Sequence, residues 1–282
     1  MHSNVQLAIK FIKYYLTASN GKGHGIHSPF VYDFIRKVLN KNNAPENALE
    51  IESQRKLLES NTSVIEVLDR GAGSRTSELK KRSISSIAKS ALKQKKISQL
   101  LYRMGVYFNP DNILELGTCF GITSSYLAMS KPNQTLVTME GAPAIAKEAQ
   151  TTFDSLDLKN IHIVEGDFTT SLPAYLNSIP HIGMVYIDGN HRYAPTMEYF
   201  KLLLSKVNEQ SILIFDDIYW SSEMEKAWTE IKKQKEVTLT IDLFYIGIVF
   251  FRKSGSGMKS ASKIAIKSPS TRSMAASNAP AL

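Results

Sequence analysis

Only one cysteine, Cys119, occurs in the 282 residues. That excludes an intrachain disulfide framework and fits a reducing compartment, so the chain reads as cytoplasmic. Long uninterrupted apolar runs are missing as well. The first apolar stretch, Val5 to Leu16, is broken by Lys10 and Lys13. This argues against a signal-peptide core or a membrane span. It favours an amphipathic helix with Leu7, Phe11, Ile12 and Tyr15 on one side. Acids are absent from residues 253–282, which carry Lys253, Lys259, Lys263, Lys267 and Arg272 and hence +5 of the net charge of +8. This stretch is rich in Ser, Ala and Lys and poor in aromatics. It reads as a disordered tail from residue 254. The overall positive charge is therefore weak support for nucleic-acid binding.

What is present supports a well-filled core: 43% of residues are apolar, with twelve Phe and twelve Tyr. The length suits one large domain with an extension, or two small ones. Residues 1–108 read as helices and loops, an N-terminal helical extension or cap. Ser28 before Pro29 is a helix start, with a side-chain cap followed by proline at the first helical position. Phe30, Val31, Phe34, Ile35 and Val38 then recur at helical spacing. A second helix is expected over Glu46–Ser60, a polar basic loop from Asp69 to about Ser83, and helices from Ile84 to Phe108. Residues 70–103 hold ten basic side chains against Glu78 alone. They read either as solvated helix faces with a mobile loop, or as a surface that steers an anionic substrate. Tyr102 is the only aromatic residue there, so base stacking is not signalled.

From residue 109 to 253 strands and helices alternate. Strand-like runs are Ile113–Leu116, Thr135–Glu140, Ile161–Glu165, Met184–Asp188 and Ser211–Asp216. Such alternation argues for a parallel sheet with helices on both faces. Val237–Leu243 and Tyr245–Arg252 follow with no helix between them and read as an antiparallel edge hairpin.

The run Ile113-Leu-Glu-Leu-Gly-Thr-Cys-Phe-Gly121 is a strand ending in an acid, a turn with two glycines, and then an apolar helix. Glycines there let the backbone approach a ligand without a Cβ clash. The spacing of Gly117 and Gly121 is not that of the dinucleotide fingerprint Gly-x-Gly-x-x-Gly. It resembles the acid-x-Gly-x-Gly-x-Gly motif of class I S-adenosylmethionine (SAM) dependent methyltransferases, with Cys119 at the middle glycine. Val67-Leu-Asp-Arg-Gly-Ala-Gly-Ser74 is a weaker echo, because basic residues rather than an apolar helix follow it.

Further markers are His24-Gly-Ile-His-Ser-Pro-Phe30, Gly71-Ala-Gly-Ser74, Ile187-Asp-Gly-Asn-His191 and Phe215-Asp-Asp-Ile-Tyr-Trp-Ser221. With them, residues 20–252 are similar to a bacterial branch of that class, the methyltransferase 24 family. The resemblance implies a Rossmann-like α/β sheet of five parallel strands plus a C-terminal antiparallel hairpin. It implies SAM as cofactor, held by Glu115 at the ammonium end, by the turn at Gly117, Thr118 and Gly121, and by Glu140 and Gly141 at the ribose. Asp167 and Phe168 would take the adenine, with Asp188 also at the cofactor. Asp167 reads equally as a helix cap.

Asp188, Asp216 and Asp217 match positions that bind metal in metal-dependent O-methyltransferases. Oxygen-only ligands suit Mg²⁺, while Asp217 alone could simply cap a helix. Asp188 and His191 are the catalytic candidates, His191 as proton acceptor because histidine exchanges protons near neutral pH. No Asn-Pro-Pro-Tyr or Asp-Pro-Pro-Tyr motif occurs, which favours oxygen over nitrogen as acceptor atom. The expected activity is methylation of a small hydroxylated or anionic molecule. The alternatives are an RNA methyltransferase using the basic 70–103 segment and a non-catalytic SAM-binding protein. Assembly stays open between monomer and homodimer.

Overall fold

The computed structural model describes residues 2–18, 28–68, 79–252 and 262–266. The elements in chain order are α1 (Asn4–Thr17), α2 (Pro29–Phe34), a π-helical turn (Ile35–Leu39), α3 (Ala48–Ser60), β1 (Val64–Leu68), β2 (Leu79–Ser83), α4 (Ile84–Ala91) and α5 (Lys95–Phe108). Then come β3 (Ile113–Leu116), α6 (Ile122–Met129), β4 (Leu136–Glu140), α7 (Pro143–Ser155), β5 (Ile161–Glu165), α8 (Phe168–Ser178) and β6 (Met184–Ile187). The last are α9 (Tyr193–Leu204), β7 (Ile212–Asp216), α10 (Ser222–Ile231), β8 (Leu239–Asp242), β9 (Ile246–Phe250) and β10 (Ser262–Ala265). The alternating strands and helices expected after residue 109 are all present. The chain divides into two compact units, residues 43–185 and residues 1–42 with 186–282.

In the 43–185 unit, β3, β4 and β5 run parallel, with Glu115 opposite Thr138 and Glu140 opposite Glu165. Every residue of β3 is buried, as a strand covered on both faces requires. Helices α3 and α4 pack on the turn after β3: Ile51, Ile84 and Ile87 share a core cluster with Phe120, Ile122 and Tyr126. Tyr126 donates its hydroxyl to Glu52 at 3.0 Å, and Arg55 pairs with the same carboxylate at 2.9 Å.

The expected loop over 69–83 is corrected at its end, because β2 pairs antiparallel with β1. Lys80, Lys81 and Arg82 disguise the strand in the sequence. A two-stranded ribbon tolerates them because its face is solvated and Glu66 opposes Lys81. Residues 69–78, with Gly71-Ala-Gly-Ser74, lie outside the described residues, as do 24–27 of the N-terminal marker.

In the other unit, β7 pairs antiparallel with β9, and β9 with β8, giving the expected antiparallel hairpin but not its expected place at the sheet edge. A further strand, β10, runs parallel to β8. The reading of everything after residue 254 as disordered is thus corrected for Ser262–Ile266. Ile266 is fully buried, its N–H donates to the Asp242 carbonyl at 3.0 Å, and its own carbonyl accepts the Tyr14 hydroxyl at 2.5 Å. That partner sits more than 240 residues upstream, so local composition could not reveal it.

Helix α1 carries a full capping box, Ser3 with Gln6. Its inward face differs from the expected one. Tyr14 is buried, whereas Ile12 is 58% exposed. The ring of Tyr14 packs on Phe244, and its hydroxyl also donates to the Asp242 carbonyl at 3.0 Å.

Candidate functional site

The turn after β3 is built on left-handed backbone. Gly117, Cys119 and Gly121 have φ of 106°, 49° and 78°. Cys119 is thus a non-glycine residue in a region that normally disfavours a Cβ. Its N–H donates to Glu140 Oε2 at 3.0 Å. The Ala142 N–H donates to Glu140 Oε1 at 3.0 Å, and the Gly141 backbone bonds the same carboxylate. Burial raises the Glu140 pKa, and the three N–H bonds oppose it. Glu140, at the end of β4, therefore binds the glycine turn to the next strand end. Gly121 has a second reason to lack a side chain, since a Cβ there would lie 2.4 Å from the Phe153 ring.

Glu115 is fully buried. Its Oε2 accepts hydroxyl bonds from Ser124 and, at 2.7 Å, from Thr138. The Thr138 hydroxyl also contacts that of Thr118 at 2.7 Å. Sequence reasoning named Glu115 and Thr118 but missed Ser124 and Thr138. The register Glu115↔Thr138 is the signal that could have found Thr138. At the end of β5, Asp167 caps α8 through Oδ1, accepting from the Thr169 N–H at 2.9 Å and its hydroxyl at 2.7 Å. Phe168 is half-buried as the first residue of α8.

In the other unit, Asp188, His191 and Asp216 each offer a ligand atom, all within 4.8 Å of one another. His191 Nε2 lies 3.4 Å from Asp188 Oδ1 and 4.0 Å from Asp217 Oδ2. The tight group therefore contains His191 where Asp217 was expected. Asp217 adopts φ 54°, which separates it from the strand geometry of Asp216. Asp216 is buried at the end of β7, whereas Asp188, His191 and Asp217 are partly exposed. Asp217 does not cap α10; Ser221 does, accepting from the Met224 N–H at 3.2 Å.

The loop after β7 is anchored on a buried aspartate that the sequence did not single out. Asp242 accepts the Tyr219 hydroxyl at 2.8 Å and the Trp228 indole N–H at 3.0 Å on one oxygen, and the Phe244 N–H at 2.9 Å on the other. Tyr219 stacks on Phe244 with centroids 5.0 Å apart. Across the next loop, Tyr193 donates its N–H to Glu223 at 2.9 Å and its hydroxyl to Glu230 at 2.5 Å, which ties the start of α9 to α10.

Residues 114–218 match the family described as "Methyltransferase domain". Among solved structures, the chain is similar to an SAH-bound methyltransferase of Podospora anserina, at 12% identity and TM-score 0.56, covering 80% of this chain and 97% of that one. It is also similar to an O-methyltransferase of Bacillus cereus in complex with SAH, at 16% identity and TM-score 0.53, covering 78% and 97%. An uncharacterized protein of Acanthamoeba polyphaga mimivirus is 24% identical over 143 residues, 47% of this chain and 65% of the viral protein. The likeness to the two solved structures establishes the α/β fold with its mostly parallel sheet. Among the described residues no helix is long and apolar enough to cross a membrane.

Proposed function

We propose that this class I SAM-dependent methyltransferase methylates an oxygen of a small hydroxylated or anionic molecule, with assistance from a divalent cation such as Mg²⁺. Residues 109–253 are the SAM-binding domain in this reading. The observation that carries the cofactor assignment is the turn itself. Three left-handed residues allow a close backbone approach to a ligand, and a buried carboxylate, Glu115, and a half-buried one, Glu140, stand near the ends of two adjacent parallel strands. Such a site suits a ligand that is cationic at one end and carries a vicinal diol at the other.

SAM, when bound, supplies an electrophilic methyl group on a sulfonium. Glu115 would accept from the ammonium and Glu140 from the ribose hydroxyls, with the Gly117, Thr118, Gly121 and Gly141 backbone lining the approach. Asp167 and Phe168 would take the adenine. Such contacts would hold the donor in one orientation, and alignment is the main source of rate in such a displacement.

The group at Asp188, His191 and Asp216 fits a cation, because convergent acids repel one another unless they are neutralised. Asp188 and Asp216 of that group, joined by Asp217 from outside it, are the ligands in this reading. A bound cation lowers the pKa of a coordinated hydroxyl. His191 takes the acceptor's proton at Nε2, where Asp188 and Asp217 both lie within 4.0 Å to stabilise the resulting positive charge.

Calorimetry of the purified chain with SAM, repeated with Mg²⁺ and with EDTA, tests this reading. Labelled-methyl transfer into a metabolite extract would follow. The expected result is SAM binding in either condition and transfer that EDTA abolishes. Absence of SAM binding would remove the proposal. Transfer to RNA that is salt-sensitive and survives removal of residues 254–282 would replace the small acceptor with a nucleic acid.

A further inference from the structure

Helix α1 is apolar on two opposite sides. Its inward side is fixed: Tyr14 is buried, the Phe11 ring meets Phe244 edge-on at 5.1 Å, and Lys10 pairs with Glu225 at 2.6 Å. The outward side carries Val5, Ile9, Ile12 and Leu16, which are 68%, 61%, 58% and 76% exposed. Among the described residues nine large apolar side chains are exposed, and four of the nine form this one row. The row is therefore a patch and not the scatter of single apolar residues found on any surface. The helix cannot roll it inward without giving up the Tyr14 hydroxyl bonds to the Asp242 and Ile266 carbonyls.

We propose that the outward row of α1 is a self-association surface, on which a second copy of this chain docks its own α1 antiparallel. The spacing carries the inference. The steps along the row are 4, 3 and 4 residues, the period of a seam between two helices. They also read the same from either end. An antiparallel second copy sets Val5 against the partner's Leu16 and Ile9 against the partner's Ile12, and a two-fold axis repeats each contact. Gln6 and Lys13 flank the seam on one side, so Lys13 meets the partner's Gln6. Helix α1 has no acid and no other exposed base, and like charges are not opposed. The row leaves an apolar patch on the order of 400 Å² in one copy, a size that marks interaction sites. Two such patches bury roughly 800–1,000 Å², the lower limit for a specific interface. A lipid surface fits the row less well. A helix lying in a bilayer interface carries Lys and Arg along its polar side, whereas here that side packs on the protein and Lys10 is committed to Glu225.

The experiment is sedimentation velocity on the purified chain over a concentration series. The expected result is a monomer–dimer equilibrium that is half complete at a concentration on the order of 10–100 μM, as suits a small interface. Ile9→Lys and Ile12→Glu should each be monomeric there, because each sets a charge against an apolar partner side chain. An equimolar mixture of the two should dimerise again, since the antiparallel register places the new ammonium of one beside the new carboxylate of the other. If a charged variant fails to fold, Ile9→Ala and Ile12→Ala should each weaken the dimer by about tenfold, through the apolar area they remove. A chain that stays monomeric up to about 1 mM would overturn the proposal. So would a dimer that none of these substitutions weakens, which would place the interface on another face. A mixture that stays monomeric would overturn the antiparallel register. Binding to vesicles of phosphatidylcholine and phosphatidylglycerol, lost in Ile12→Glu and without a dimer in solution, would assign the row to a lipid surface instead.

Discussion

The Glu140 carboxylate grips the backbone N–H of Cys119 at 3.0 Å, across 21 residues of sequence. One side chain thereby connects the strand end assigned to the ribose with the middle of the glycine turn. Removing it should damage both. Glu140→Ala should weaken SAM binding by about tenfold or more, since hydrogen bonds to charged groups are worth about 1.5–3 kcal/mol. Equal affinity in calorimetry would count against the ribose assignment.

The same residue gives a pH dependence. Its pKa is raised in the folded chain by burial, against three N–H bonds that lower it. A carboxyl with a raised pKa binds more protons folded than unfolded, so its contribution to stability is greatest below the unfolded value and is lost as pH rises through the folded one. In Glu140→Gln that loss should disappear. The wild-type minus variant difference in denaturation free energy should fall as pH rises from about 4.5, the ordinary glutamate value. A pH-independent difference would show that the carboxyl is not perturbed.

Gly121→Ala should destabilise the fold by about 1–3 kcal/mol, the usual range for overpacking. The added Cβ would meet the Phe153 ring at 2.4 Å and would sit on a backbone with φ 78°. Pairing it with Phe153→Leu should recover the steric part but not the backbone part. Full recovery in urea titration would mean that the left-handed conformation costs nothing there.

Trp228 and Tyr219 share one oxygen of Asp242. Asp242→Ala should cost about 3–5 kcal/mol, the scale for breaking a buried charged network. Tyr14→Phe, which loses only hydroxyl bonds to two carbonyls, should cost about 0.5–1.5 kcal/mol. It should also speed amide exchange at Ile266, whose carbonyl that hydroxyl holds. Unchanged exchange would detach β10 from α1.

Metal titration separates the roles at the acidic group. Asp188→Ala should lose both cation affinity and methyl transfer. His191→Ala should keep cation affinity and lose transfer by about 10²–10⁴-fold, the usual contribution of a positioned base. If His191→Ala lost the cation as well, the imidazole would be a ligand and Asp217 a bystander.

The alternating strands and helices, the glycine turn and the carboxylates at strand ends were legible in the sequence. They are written in short-range pattern: period-two and period-3.6 apolarity, and glycines at a fixed offset from an acid. Four things were decided only in three dimensions. Thr138 reaches Glu115 because strand register sets which side chains face each other, and Ser124 reaches it from the first turn of α6. His191 joins Asp188 and Asp216 through loop geometry with left-handed Asn190 and Asp217. The Lys-rich β2 and the tail strand β10 exist because distant partners offer pairing that local propensity does not foretell. Ile12 faces outward because the Tyr14 ring has a place on Phe244 and its hydroxyl has two carbonyls waiting. Local chemistry determined which residues could act, and the long-range hydrogen bonds of a folded chain determined which of them meet.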